Sequence, residues 1–239
     1  MSTIDRSLVS SLPIFADFSA GDIDDVLLDA RPLRFQKDAT VFEQGQEARS
    51  FYLLLNGRVR AQKLTPAGEQ VVIRFIGPGE MFGVAMAIGH DAYPATAVAI
   101  VDSLALAWPN GVWPRLLARH PNLGVQTMQT LGARLQESQT RLMEMSTQEV
   151  ERRIAHTLLR LLDQGGRTTN DGVLIDFPIS RKDIAQMVGA TLHTVSRIMS
   201  AWESRGLVLS GRQKVVVRDR SKLARLADRP DESSTARDE

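Results

Sequence analysis

Residues 121–145 read PNLGVQTMQTLGARLQESQTRLMEM, and the rest of the chain is arranged around them. Met128, Leu131, Leu135, Ser138, Leu142 and Met145 follow one another at intervals of 3, 4, 3, 4 and 3, the a/d seam of a helix that pairs with another helix. Pro121 suits the first helical position, where its missing N–H leaves no bond unmade. An amphipathic helix packed on its own domain is the plain alternative. Such a helix carries an extra apolar column, whereas here Gln, Thr, Glu and Arg fill the other positions. Arg134 and Arg141 would face Gln139 and Ser146 across a seam, so no like-charge pair opposes self-pairing. The stretch therefore reads as a parallel homodimer helix. It also joins a β-rich half to a helical, basic half.

Upstream, from Arg31 to Pro109, the period shortens. The runs LRFQ, TVFEQG, SFYLLLNG, RVRAQKL, QVVIRFI, TAVAIV and LALAW are separated by TPAGE, GPGE and HDAYP. Short strands with glycine-bearing turns indicate an antiparallel barrel or jelly roll. Before them, Ser19 and Asp22 form a capping box for a short helix whose apolar face is Ile23, Val26 and Leu27. A further short helix is expected over Trp113 to His120.

Downstream, Ser146-Thr147-Gln148-Glu149 has the S-x-x-E form of a new helix cap, which places a hinge directly after Met145. Val150, Ile154, Leu158, Leu161 and Leu162 give the next helix its apolar face, ending at Gly165-Gly166. The segment ISRKDIAQMVGATLHTVSRIMSAWESRG then begins at Ile179. Ser180 and Asp183 cap a helix with inward Ile184, Ala185 and Val188, and Gly189 makes a turn. Thr191 caps a second helix with inward Val195, Ile198, Met199 and Trp202, which Gly206 closes. Two short helices joined by such a turn form a helix-turn-helix, whose second helix fits the major groove of DNA. LVLSGRQKVVVRD alternates as a following hairpin, a wing. Residues 180–220 hold eight basic side chains against three acidic ones, a net of +5, although the whole chain carries only +1. A basic face on such a motif points to double-stranded DNA, where a solvated helical subdomain would need neither the caps nor the wing. Base and phosphate contacts are assigned to Arg181, Thr191, His193, Thr194, Ser196 and Arg197, with Arg212 and Lys214 on the wing. Arg197 can take guanine O6 and N7 with both donors of its fork.

The expected fold is α+β. An antiparallel barrel or jelly-roll domain occupies 1–120, which the resemblance given below makes a sensing β-roll, the dimer helix 121–145, and a winged helix-turn-helix 146–226, with a polar tail over 227–239. No signal peptide or apolar run of about 18 residues occurs, so a cytoplasmic protein off the membrane is expected. The chain has no cysteine, which excludes disulfides, thiolate nucleophiles and an iron–sulfur cluster held by its own thiolates. An enzyme on a β-roll would need clustered histidines and a carboxylate for a metal. Only His90 lies in the β region, and no P-loop, Rossmann glycine pattern or triad is present.

ISRKDIAQMVGATLHTVSRIMSAWESRGLV resembles the reading head of the CRP/FNR superfamily of bacterial transcription regulators, while VFEQGQEARSFYLLLNGRVR and GPGEMFG resemble its cyclic-nucleotide-binding-type β-roll. The resemblance spans nearly the whole chain. It implies a homodimer on a palindromic operator of the TTG and CAA type, and RNA polymerase as a further partner. Cyclic-nucleotide binders of the superfamily place Gly-Glu on the ribose and Arg-Ser or Arg-Thr on the phosphate. Here those positions read Gly83-Val84 and Pro94-Ala95, so an anionic phosphate lacks its charge-assisted partner and no cyclic nucleotide is expected. The TxxTVSR reading helix, with Tyr93-Pro94-Ala95-Thr96, looks most like the nitric-oxide-responsive NnrR/DNR-type branch. That likeness implies haem as a cofactor, with His90 in the pocket loop beside Gly83, Val84, Pro94 and Ala95 as its candidate metal ligand. Met81, Met86, His120 and His156 are weaker candidates, and His120 reads as a turn residue. A regulator without any effector, governed by its own abundance, is the other reading of an altered pocket.

Overall fold

The structure, a computed structural model, describes residues 5–228. The chain divides into two compact units, 1–135 and 136–239, and the division falls inside one long helix.

In the first unit the helix α1 (Ala20–Leu27) starts at the expected capping box: Ser19 accepts from the Asp22 amide, and the Asp22 carboxylate takes the Ser19 amide. Eight strands follow: β1 (Arg31–Phe35), β2 (Thr40–Phe42), β3 (Ser50–Asn56), β4 (Val59–Leu64), β5 (Gln70–Ile76), β6 (Met81–Phe82), β7 (Thr96–Ala99) and β8 (Ser103–Pro109). They form two antiparallel sheets, in the orders β1-β8-β3-β6 and β2-β7-β4-β5. Alternation along β3 and β8 divides the interior in two. Phe51, Leu53, Leu106 and Trp108 face the helices, and Trp108 donates its indole N–H to the Val26 carbonyl at 2.7 Å. Tyr52, Leu54, Ala105 and Ala107 face the other way, into a second core with Phe42, Ile76 and Phe82. Helix α2 (Trp113–Arg119) and the start of α3 (Pro121–Thr147) close the first core with Leu116 and Leu123.

His120 is not a loose turn residue. It is buried, its Nε2 lies 2.8 Å from an Asp25 carboxylate oxygen, and Phe18 packs on its ring. The bond to His120 holds the Asp25 carboxyl below the ordinary range.

The break expected at Ser146 lies further on. Helix α3 continues through Thr147, and α4 (Val150–Gly165) begins after Glu149, whose side chain makes no capping bond. Ser146 Oγ donates to the Leu142 carbonyl at 2.9 Å and Thr147 Oγ1 to that of Met143 at 2.8 Å. Both hydroxyls bond back to the preceding turn, as they do inside a helix, so neither serves as a cap.

The second unit adds β9 (Gly166–Thr169), β10 (Gly172–Ile175), α5 (Arg181–Val188), α6 (Leu192–Ser204), β11 (Val208–Gly211), β12 (Lys214–Val217) and α7 (Arg220–Ala227). The wing is thus half of a four-stranded antiparallel sheet, β11-β12-β10-β9. Ile154, Leu158 and Leu161 of α4 are fully enclosed, as are Ile184, Met199 and Trp202 of the two short helices. Residue 227, expected to open the tail, instead ends α7 and is buried. Residues 229–239, where most of that expectation falls, lie outside the described residues. Among the described residues no helix is long and apolar enough to cross a membrane.

Candidate functional site

The helix-turn-helix assembles from local rules. Ser180 and Asp183 make a reciprocal cap on α5, and Gly189 ends it in the left-handed region at φ +62°. The positive φ favours glycine at this turn, and a Cβ there would stand 2.8 Å from Met145 Cε, the mobile end of a flexible side chain. Thr191 caps α6 by accepting from the Thr194 amide at 3.1 Å. Val195, Met199 and Trp202 are buried and Ile198 half-buried, which fixes the opposite face outward. His193 and Arg197 are exposed on that face, with Ser196 half-buried between them. Arg212 is exposed in the turn between β11 and β12, and Lys214 is exposed at the start of β12. Thr191 and Thr194 set the helix start, and their hydroxyls lie 2.9 Å apart.

Arg181 is engaged within the reading head. Its guanidinium donates to the Ser196 carbonyl (3.3 Å), Ser200 Oγ (3.1 Å), Glu203 (2.8 Å) and Ser210 Oγ (2.8 Å). These four bonds tie α5 to α6 and β11 through Arg181. Burial alone would raise the Glu203 carboxyl, but hydrogen bonds from Ser210 and Arg181 together with the Arg181 charge outweigh it, and its pKa lies below the ordinary value.

In the first unit, four of the five expected pocket residues come together. Gly83, Val84, Pro94 and Ala95 line a cavity of about 170 Å³ whose wall is otherwise mostly apolar. Phe42 stacks on Tyr93 at a centroid separation of 3.8 Å. At Gly83 (φ +68°) a Cβ would press on the rings of Tyr52 and Phe42 at 3.0 and 3.1 Å. His90 is exposed and is not part of this lining. The lining residues that the sequence did not assign to the pocket include Arg74 on β5, and Leu131 and Arg134 on α3. A helical repeat marks Leu131 as apolar but cannot say that it meets its own domain. Its side chain is half-buried against the first core, so it is not simply a seam residue.

The lining does not fit haem. It contains no histidine, methionine or cysteine, and the phenol of Tyr93 is engaged with the backbone of Ser50, donating to its carbonyl at 2.7 Å and accepting from its amide at 3.1 Å. Burial raises the Tyr93 pKa far above the ordinary tyrosine value, which keeps the oxygen protonated. Among the described residues no group of three histidine or carboxylate side chains is placed to hold a metal ion.

Along α3 the exposed apolar side chains are Val125, Met128 (68% exposed), Leu135 (61%), Leu142 (66%), Met143 and Met145, and Ser138 is also exposed. Met128, Leu135 and Leu142 are spaced by seven and form one stripe. Val125 and Met143 were not expected in the exposed set.

Residues 32–120 match the protein family described as cyclic nucleotide-binding domain, and residues 152–226 match the Crp-like helix-turn-helix domain. The cyclic AMP receptor protein of Thermus thermophilus is 29% identical over 215 residues, covering 90% of this chain and 96% of its own. The nitrogen fixation regulation protein FixK of Azorhizobium caulinodans is 29% identical over 215 residues, covering 89% of this chain and 86% of its own. Among solved structures, FixK2 from Bradyrhizobium japonicum shares the fold with a TM-score of 0.73 at 23% identity, over 84% of this chain and 98% of that one. The matched relatives are regulators and not enzymes. With a nucleotide-binding-type sheet domain followed by a Crp-like reading head, the chain belongs to the CRP/FNR family of DNA-binding transcription regulators.

Proposed function

We propose that the chain acts as a homodimer that reads a two-fold symmetric operator and is controlled by a small effector other than a cyclic nucleotide, acting on transcription through RNA polymerase. The observation that carries the DNA half is the outward face of α6. His193 and Arg197 are exposed beside a basic wing turn, on a helix whose other face is buried by Val195, Met199 and Trp202. The family is typically dimeric, and the exposed stripe on α3 supplies a surface for a second copy. The effector half is supported by size and chemistry. Val84 offers no ribose acceptor and Pro94 no cation, the two arginines in the lining are engaged by Glu80 and the Met81 carbonyl, and a cavity of about 170 Å³ is smaller than the ~300–1,000 Å³ of ordinary ligand pockets. A nitrogen-oxide signal is the identity that the likeness of the reading helix supplies. Since the cavity offers no haem ligand, haem there is not part of this reading.

The test is selection of operators from random duplexes by the purified protein, followed by calorimetry with cAMP and cGMP. The expected outcome is an inverted repeat with a guanine in each half-site and no heat from either nucleotide. Selection of no consensus would overturn the operator reading, and micromolar nucleotide binding would overturn the effector reading.

A further inference from the structure

We propose that Leu192 is a base-reading residue, its side chain packing on the C5-methyl group of a thymine in each half-site, about two base pairs from the guanine that Arg197 takes. This rests on the operator reading above and names a base which that reading leaves open. From Ser146 to Asp228, Leu192 is the only large apolar side chain left exposed, at 49%. The other large apolar residues of the reading head are buried or half-buried. A single exposed leucine on a general surface calls for no explanation. This one lies in the first turn of α6, next to the Thr191 cap, and such a helix enters the major groove by its N-terminal residues. Ser196 stands one turn further along the same face, and His193 and Arg197 are exposed beside the pair.

Chemistry limits what can answer a leucine there. Phosphate oxygens and the edges of the bases present donors and acceptors, and a hydrocarbon side chain matches neither. Pressed against them, Leu192 would strip water from polar atoms and return no bond. The major groove displays one apolar group, the methyl of thymine. Leucine and methyl leave water together, which is favourable for both. The spacing follows from the helix. Leu192 and Arg197 are five residues apart, about 7.5 Å along the axis at ~1.5 Å per residue. Base pairs succeed one another at ~3.4 Å, so the two side chains reach bases about two steps apart.

Deoxyuridine tests this, because uracil keeps every hydrogen bond of thymine and lacks only the methyl. Each thymine of the selected half-site is replaced in turn, and binding of the full-length dimer is measured by competition. One position, about two base pairs from the guanine, should lose affinity about fourfold per half-site, the worth of one buried methyl. Leu192→Ala should bind the thymine and uracil duplexes equally. At that same position, a 5-methylcytosine pair should bind the wild type better than a cytosine pair by a similar factor, and Leu192→Ala should not distinguish them. Since Leu192 is exposed, the variant should unfold at the wild-type temperature, which separates lost reading from lost fold. A selected half-site without a thymine there, a thymine whose methyl is without effect, or a methyl effect that persists in Leu192→Ala would each overturn the assignment and leave the operator reading in place. Selection of no consensus at all would overturn both.

Discussion

Arg197 stands exposed on the outward face of α6, while Arg181, which the sequence groups with it, gives its donors to Ser196, Ser200, Glu203 and Ser210. Arg197→Ala should therefore cost about 1–3 kcal/mol per half-site and relax the preference at one guanine. Competition with scrambled duplex measures this, and equal weakening on ordered and scrambled DNA would make Arg197 a phosphate contact. Arg181→Ala should act on the fold instead, lowering the unfolding temperature while leaving base preference in place. Glu203 supplies the pH dependence of the same network. Its folded pKa is depressed, so its contribution is present above the unfolded value of 4.5 and is lost as pH falls through the lower folded value. Acid titration of stability should show that limb in the wild type and lose it in Glu203→Gln. Residue type was legible for both arginines, but partnership was not. The capping boxes at Ser19 and Ser180 could be read because each closes within three residues. The partners of Arg181 lie up to 29 residues away.

Elements were legible where period and punctuation agree. The two short helices, their Gly189 turn and the wing all appear where the apolar spacing and caps place them. The exit of α3 was misplaced because S-x-x-E is a local pattern, and Ser146 and Thr147 bond back into the helix instead. β6 spans two residues, too few for any period to show. One approach between elements invites a direct test: Met145 Cε lies 2.8 Å from where a Cβ on Gly189 would stand. Gly189→Ala combines that clash with a left-handed backbone, the latter alone worth about 1–2 kcal/mol. Denaturant unfolding of Gly189→Ala and of Gly189→Ala with Met145→Ala separates the two. Removing Met145 should relieve the clash and leave the backbone share. Full recovery in the double variant would show that the backbone at this turn is not under the restriction its φ implies.

At the scale of the molecule, the exposed stripe on α3 and the outward face of α6 make one joint prediction. Met128, Leu135 and Leu142 recur every seven residues and are each more than 60% exposed, while Leu131, which the sequence places in the same seam, turns toward its own domain. Sequence spacing could show the 3,4 repeat but not that Leu131 alone of it packs on the first core, while Ser138 and Met145 of the same column stay exposed. Leu135 sits midway along the exposed column. Burying such a side chain against its mate is worth about 1.5–3 kcal/mol, and a glutamate there would set two carboxylates opposite each other. Leu135→Glu should sediment as a monomer at micromolar concentration, where the wild type sediments as a dimer. A monomer presents one reading helix, so it engages one half-site and gains nothing from the second arm of an inverted repeat. Half-sites read by a two-fold dimer lie about 34 Å apart, one turn of duplex. Inserting five base pairs between them should therefore cost the wild type most of its affinity, because half a turn puts one half-site on the opposite face. The same insertion should leave the Leu135→Glu monomer unaffected. Removing a phosphate-binding cation from the wing, by Arg212→Ala or Lys214→Ala, should lower the salt slope by roughly one per half-site without changing sequence preference. A wild type indifferent to the insertion would separate DNA binding from two-fold pairing along α3, and the stripe would then need another occupant.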